Sequence, residues 1–305
     1  MTVALLSHPD CLLHDMGRSH PECPERLQFI EEHLVNAGLN KVLQYHLAPL
    51  VTKEQLHRVH DAGYVDSIFQ ASPKTGMISL DPDTVMNPYT LTAALRAAGA
   101  VVAGVDLVMS GEVNSAFCSI RPPGHHAERA QAMGFCFFNN IAVGVAHALE
   151  HHHLKRVAII DFDVHHGNGT ENIFQDDGRV LLCSSFQHPF YPFSGAETHN
   201  EHILNLPLSA GARGLEFREK IKEFWLPAIE KFKPDMIFFS AGFDGHAEDE
   251  MSNLLLHERD YEWVTREVKL IADKYSKGRM VSALEGGYAL PALGRSVVAH
   301  LQALL

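Results

Sequence analysis

The sequence predicts one α/β domain over residues 1–305, with a mainly parallel central sheet of about eight strands and helices on both faces. Two features carry this expectation. Short β-branched or aromatic runs that end in Gly, Pro, Asp or His alternate with longer stretches whose apolar residues recur at helical spacing. No linker, internal repeat or low-complexity tract breaks the alternation.

Taken in order, Val3 to Ser7 is a strand stopped by His8-Pro9, and Glu25 to Ala37 is the first helix. The alanine-rich stretch Thr90 to Ser110 is a long helix, and Ala116 to Ile120 is a strand that stops at Arg121-Pro122-Pro123-Gly124. Asn140 to His151 is helical, Val157 to Asp161 and Val180 to Ser184 are strands, and Leu215 to Lys231 is helical again. Met236 to Ser240, Asp260 to Lys277 and Met280 to Leu284 close the pattern as strand, helix and strand. Open parallel sheets place their ligands at the carboxyl ends of the strands, so chemistry is expected in the loops after these runs.

Composition narrows the partner. The chain has 25 Lys plus Arg against 37 Asp plus Glu, a formal net charge of −12, and no long basic run. Nucleic acid is therefore not an expected partner, because its binding rests on clustered cations that release counterions. A cationic or neutral ligand is the easier electrostatic match. Met1 to Leu6 lacks the order of a signal peptide, and no apolar run approaches the ~18 residues of a membrane helix, so no membrane association is expected. Cys11, Cys23, Cys118, Cys136 and Cys183 are widely spaced and contain no C-x-x-C, which argues against a disulfide framework or a four-thiolate zinc site and for a reducing cytoplasm. The 21 histidines are the unusual count, and part of them stand beside carboxylates. His151-His152-His153 does not belong to that part: it ends an amphipathic helix beside Lys155 and Arg156 and reads as a solvent-facing run.

The strongest local signal is Asp161-Phe162-Asp163-Val164-His165-His166-Gly167-Asn168-Gly169, directly after the strand Val157-Ala158-Ile159-Ile160. A continued extended conformation puts Asp161, Asp163 and His165 on one face, where two carboxylates and an imidazole suit a divalent cation. After the strand at Ala116, Arg121-Pro122-Pro123-Gly124 forms a rigid turn from which His125 and His126 emerge in fixed positions, as general acid/base chemistry requires. Ser240-Ala241-Gly242-Phe243-Asp244 offers Asp244 as a third ligand, and three protein ligands leave the open position of a catalytic metal. Leu284-Glu285-Gly286-Gly287-Tyr288 holds a phenol on a double-glycine turn, able to donate to a developing oxyanion. Singly, Asp244 reads equally as a helix cap and Tyr288 as an aromatic plug. Their convergence on one rim is what raises them.

These residues resemble the histone deacetylase superfamily, in particular its class II and bacterial acetylpolyamine amidohydrolase branches. The match runs in order from His20-Pro21-Glu22-Cys23-Pro24-Glu25-Arg26 to Tyr288. Between them come Arg121 to Ala127, Gly134-Phe135-Cys136-Phe137-Phe138-Asn139-Asn140, Asp161 to Thr170, Phe190-Tyr191-Pro192 and Ser240 to Asp244. The resemblance implies the arginase-deacetylase fold and a cytoplasmic enzyme of bacterial type. It implies one catalytic Zn2+ on Asp163, His165 and Asp244, with Asp161 set back as the partner of His125 and Asn168 as the partner of His126. His126 is then the general base and later the proton donor, His125 its electrostatic partner, and Tyr288 the oxyanion donor. Phe135 and Tyr191, with Gly134 and Gly287, shape a narrow apolar tunnel for a linear alkyl chain, and Asp161 and Ser184 hold a structural K+. Asn168 favours the class II branch over class I, which carries Asp there.

Four positions bear on the tunnel mouth. Phe186 stands where many class II relatives have histidine, and Phe193 replaces a common glycine, so a bulkier rim is expected. Asp81 and Asp83 lie where relatives keep a rim aspartate, and Asp83 is preferred for it. The expected function is zinc-dependent removal of an acyl group, acetyl first, from the terminal nitrogen of a small cationic acylated amine such as an acetylpolyamine, or of an acyl-lysine peptide. A two-metal ureohydrolase is disfavoured because Gly167 and His246 stand where bridging carboxylates are needed. A non-catalytic acyl-lysine-binding scaffold is disfavoured because every acid/base group is present. Neither the acyl length nor the oligomeric state follows from the sequence.

Overall fold

The run Val157-Ala158-Ile159-Ile160 has no polar face to offer, and the structure gives the reason. This computed structural model describes residues 2–198 and 200–305. Its inner strands are covered on both sides, and their side chains alternate between two separate apolar cores. Val157 and Ile159 enter one and Ala158 and Ile160 the other; Ala4 and Leu6 likewise oppose Val3 and Leu5. Parallel sheets sandwiched in this way read as continuous apolar runs rather than alternating ones.

Among the described residues the strands are, in chain order, β1 (Val3–Ser7), β2 (Leu43–Leu47), β3 (Ile78–Ser79), β4 (Val85–Met86), β5 (Ser115–Cys118), β6 (Val157–Asp161), β7 (Val180–Gln187), β8 (Ile203–Leu208), β9 (Met236–Ala241) and β10 (Met280–Leu284). Eight of them form one sheet in the order β2-β1-β5-β10-β9-β6-β7-β8, with every pairing parallel. β3 and β4 make a separate antiparallel pair. Helices Ala62–Ala71, Thr90–Ser110 and Asn140–Glu150 cover one face. Helices Glu25–Asn36, Glu258–Tyr275 and Leu290–Leu304, with the helical run from Gly214 to Phe232, cover the other. The α/β class, the parallel sheet and the two helical layers are as expected.

The differences fall where the local signal is weak. β2 has no apolar pattern in the sequence, because only Leu43 of its five residues is buried, as suits an edge strand. β8 carries Pro207, which argues against a strand in the interior of a sheet but is tolerated on the edge that β8 occupies. The helix expected over Leu215 to Lys231 has a widened π turn at Ile221–Trp225, which ends two residues before Pro227, whose ring and missing N–H disturb the regular ladder. One membrane-related expectation needs correction. Thr90–Ser110 has 21 residues and a mean hydropathy of 1.6 over its most apolar window, so by length and composition alone it is able to span a membrane. Here 61% of that window is buried in the fold, and the small residues Ala97, Ala98, Ala100 and Gly104 let the helix lie close to the sheet and to Asn140–Glu150.

The strands β5, β10, β9 and β6 are contiguous in the middle of the sheet. They are also the four strands whose carboxyl ends lead into the four motif segments.

Candidate active site

Pairing stops at Asp161, and two successive Asx turns curl the chain beyond it. Asp161 Oδ1 accepts the Asp163 N–H at 3.1 Å, and Asp163 Oδ1 accepts the His165 N–H at 2.9 Å. The extended face that would have gathered Asp161, Asp163 and His165 therefore does not form. Asp163 and His165 swing toward Asp244 at the end of β9, and Asp161 stays behind them. The donor atoms of Asp163, His165 and Asp244 lie within 4.8 Å of one another, and all three residues are buried. Backbone donors fix the carboxylates: Gly286 N–H reaches Asp163 Oδ2 at 2.8 Å and Val164 N–H reaches Asp244 Oδ1 at 3.0 Å. Gly286 must lack a side chain, since a Cβ there falls 2.1 Å from Asp244 Oδ2.

His165 Nδ1 lies 3.0 Å from Asp244 Oδ2 and 3.2 Å from Asp163 Oδ1. Burial opposes a charge on the imidazole, but the two carboxylates prevail and push it up to about 10. Burial, with Asp163 beside it, pushes the Asp244 carboxyl up to about 6. The trio thus keeps a proton at neutral pH, one that a cation binding there would have to displace.

The tandem histidines sit in different electrostatic settings. His125 Nδ1 lies 3.0 Å from Asp161 Oδ2. Its burial is outweighed by Asp163 and Asp161, which push the imidazole up to about 10. His126 Nδ1 lies 2.8 Å from Asn168 Oδ1, while Asn168 Nδ2 donates to Glu128 Oε1 at 2.8 Å. That second bond fixes the amide with its oxygen toward His126, so Nδ1 is the protonated nitrogen and Nε2 keeps its lone pair. Burial, reinforced by the neighbouring His125 and His165, holds His126 well below the ordinary histidine range. The pair is one imidazolium and one neutral imidazole with ring centroids 4.1 Å apart.

Tyr288 is carried by the turn after β10. Asp249 Oδ2 accepts the N–H groups of Tyr288 at 2.7 Å and Ala289 at 3.0 Å, and the Arg26 guanidinium lies 5.0 Å from the phenol ring centroid. Burial pushes the phenol well above its usual value, so it remains an O–H donor. Arg26 also donates to the carbonyls of Gly287, at 2.7 Å, and of Glu285. It is paired with the buried Glu22, which also takes both Nε and Nη2 of Arg121. Glu22 and Arg26 come from the His20 to Arg26 segment, whose placement explains why a motif so distant in sequence belongs to the site. Glu22→Gln is expected to lower stability by about 3–5 kcal/mol, since it leaves two buried guanidinium groups short of a counterion. The urea midpoint measures this, and an unchanged midpoint would remove the trio from the supports of the turn.

Above these groups opens a cavity of about 430 Å3 whose walls include Gly134, Phe135, Phe190 and Tyr191, with His126, His165 and Tyr288 also lining it. Gly134 has φ +55°, and a Cβ there falls 2.4 Å from His126 Cδ2, so the wall can touch the histidine only through glycine. The Phe135 and Tyr288 rings meet edge to face at 6.1 Å, and Tyr191 stands edge-on to His126 at 5.3 Å. Asp83 also lines the cavity. It is tied to the wall through Thr84, whose hydroxyl donates to Asp83 Oδ1 at 3.0 Å and accepts the Phe135 N–H at 3.1 Å. Asp81 instead accepts the N–H groups of Asp83 and Thr84, which makes it the turn former.

Some expectations move. Gly287 stands behind the wall, bound through its carbonyl to Arg26, rather than among the lining residues. Phe186 is buried in β7 against His166, with centroids 4.6 Å apart, so it does not bulk out the rim. Phe193 is exposed on its loop and is likewise not among the lining residues. Asp161 and Ser184 face each other across the β6–β7 pairing, where Ser184 Oγ also lies 3.0 Å from His166 Nδ1. Phe190, stacked on His165 at 5.6 Å, and Glu250 and Met251 at the cavity edge were not singled out from the sequence. Phe190 was visible as the neighbour of Tyr191; Glu250 and Met251 follow Asp244 in an irregular loop that has no local signature.

A histone deacetylase domain family matches residues 20–304. A histone deacetylase-like amidohydrolase of Pseudomonas aeruginosa is 38% identical over 292 residues, covering 92% of this chain and 77% of that protein. The mouse polyamine deacetylase HDAC10 is 33% identical over 326 residues; the alignment covers all of this chain but 48% of the mouse protein. The crystal structure of the HDA15 HD domain superposes with a TM-score of 0.92 at 33% identity, covering 99% of this chain and 89% of that one.

Proposed function

The chain belongs to the histone deacetylase family of hydrolases, and from that membership we propose a zinc-dependent amidohydrolase that removes an acyl group, acetyl first, from the terminal nitrogen of a linear alkylamine. The observation that carries this reading is the unequal histidine pair beside the buried Asp163-His165-Asp244 trio, at the base of an aromatic-walled cavity.

Two carboxylates and one imidazole with convergent donor atoms fit a zinc ion that keeps an open position. When bound, the ion supplies a Lewis acid that polarises the amide carbonyl and lowers the pKa of a water molecule. The chain's own groups do the rest. His126, neutral with Nε2 unprotonated, takes a proton from the attacking water and returns it to the leaving amine. His125, held cationic by Asp161, adds a fixed positive charge beside the developing negative one. Tyr288 donates its hydroxyl to the oxyanion. Phe135 and Tyr191 pack on the methylene chain and exclude water. Asp161 and Ser184 are the proposed side-chain ligands of a structural K+, and a cytoplasmic location is part of the same proposal.

Metal affinity should depend on pH. The His165 proton is held up to about 10 in the metal-free trio and must leave when the ion binds, so affinity rises with pH below that value. Competition with a chelator is expected to show up to about a tenfold gain in zinc affinity per unit between pH 6 and pH 8. A flat profile would mean that the ligand set carries no proton.

For the substrate, the formal charge of −12 and the carboxylates of Asp83 and Glu250 at the cavity favour an ammonium outside the tunnel, as in an acetylated polyamine. The test compares kcat/KM for acetylated polyamines, an acetyl-lysine peptide and small neutral acylamides at low and high salt. Raised salt and Asp83→Asn are each expected to lower the value for the cationic substrates while sparing the neutral ones. Better turnover of neutral peptides, with no effect of either change, assigns the site to acyl-lysine peptides instead.

A further inference from the structure

The solvent-facing histidine run at the end of helix Asn140–Glu150 is not a loose surface feature. His147 and His151 are one turn apart and their rings stack, with centroids 4.7 Å apart and 14° between planes. His152 meets both edge-on, at 5.3 Å and 4.9 Å. Asp106, from the last turns of helix Thr90–Ser110, faces them. Its Oδ1 lies 2.7 Å from Nε2 of His147 and 2.7 Å from Nε2 of His152. The donor atoms of the four residues fall within 4.8 Å of one another. His147 lies about 10 Å along its helix from Asn140, whose backbone abuts Gly124 beside the tandem histidines, so this cluster is separate from the active site.

We infer that Asp106, His147, His151 and His152 form a second site for a divalent transition-metal ion, which ties the ends of two helices together on one face of the sheet. The donor set is three imidazoles and one carboxylate. Such a set suits zinc, nickel or copper and not magnesium or calcium, which take oxygen ligands. Arg58 prepares it. Its Nη1 lies 3.1 Å from His147 Nδ1, and a guanidinium can only donate, so Nδ1 is the acceptor and Nε2 is the nitrogen directed at Asp106. An ion replaces the N–H protons that His147 and His152 now direct at Asp106. Tetrahedral bonds of about 2.0–2.1 Å hold neighbouring donors roughly 3.3–3.4 Å apart, so Asp106 Oδ1 has to draw back from the two imidazole nitrogens that now stand 2.7 Å from it, and His151 has to turn in. The exposed His151 ring and the half-exposed Asp106 carboxylate can supply that movement, whereas buried His147 is the fixed point.

The test uses the untagged full chain, titrated with Zn2+ and with Co2+ as a spectroscopic substitute. Wild type is expected to bind two equivalents, and Asp244→Ala to keep the one with the visible absorption of low-coordinate cobalt bound by nitrogen. His151→Ala and His152→Ala are chosen because neither holds the fold as buried His147 does. Each is expected to weaken the second equivalent by at least about tenfold, the loss seen even for residues that only support a ligand. Added zinc should raise the melting temperature of Asp244→Ala but not of the triple variant Asp244→Ala/His151→Ala/His152→Ala. If wild type takes up a single equivalent, or if the second is indifferent to His151→Ala and His152→Ala, the cluster is a hydrogen-bonded helix cap and the inference fails. That failure leaves the reading of the Asp163 site untouched, because that site is followed through Asp244.

Discussion

Asp244→Ala is expected to abolish turnover and to lose the tightly held metal equivalent, while the sheet remains folded. Asp244 donates no packing to either apolar core, and its carboxylate is directed at His165 and the Val164 amide. Removing it leaves two ligands and an opening where the third stood, too few to hold a catalytic ion. Activity should fall to the limit of detection, and elemental analysis after dialysis should show the loss of one equivalent relative to wild type. Far-ultraviolet circular dichroism should be unchanged. If the variant retains that equivalent, Asp244 is not a ligand, and the trio is a buried ion cluster. Chelation of the wild-type protein should reproduce the same phenotype reversibly.

Tyr288→Phe should separate chemistry from binding. It deletes one hydroxyl and keeps the ring that packs against Phe135 and under Arg26. A donor used mainly in the transition state contributes to kcat, so a loss of about 100-fold or more in kcat is expected, with metal content intact and little change in KM. The reverse pattern, a raised KM with normal kcat, would make Tyr288 a wall of the tunnel. Asp249→Asn gives a graded companion, because it weakens the two backbone bonds that hold the Tyr288 turn without touching the phenol.

The legible part of the molecule is its middle. Val157 to Asp161 and Met280 to Leu284 were bounded correctly because a fully buried strand needs apolar side chains on both faces and ends where Gly, Pro or Asp breaks the run. The same punctuation located His125, His126, Asp163, His165, Asp244 and Tyr288 at strand ends. What could not be read locally was direction. Asp161 and Asp163 are alike in type and spacing, and only the pair of Asx turns after β6 sends one behind His125 and the other toward Asp244. The family resemblance, not the spacing, separated them beforehand. His151-His152-His153 does face solvent in part, but its contact with Asp106 is not readable locally, because Asp106 lies on another helix and no sequence window contains both. β2 carries no sequence signal because that edge strand buries only Leu43, and β8 carries none because Pro207 interrupts its pattern.

Contiguity of β5, β10, β9 and β6 at the centre of the sheet has a kinetic consequence. Each of these strands is paired on both sides, so their amides are released last when the fold breathes, whereas β2 and β8 each have one partner and fray first. In hydrogen–deuterium exchange the segments beneath the catalytic loops should therefore report the global opening reaction. The rims should exchange through cheaper local events that never expose the site. Loss of function on mild heating should follow the slowest-exchanging amides, and a protease that nicks a frayed edge should leave a population that still turns over.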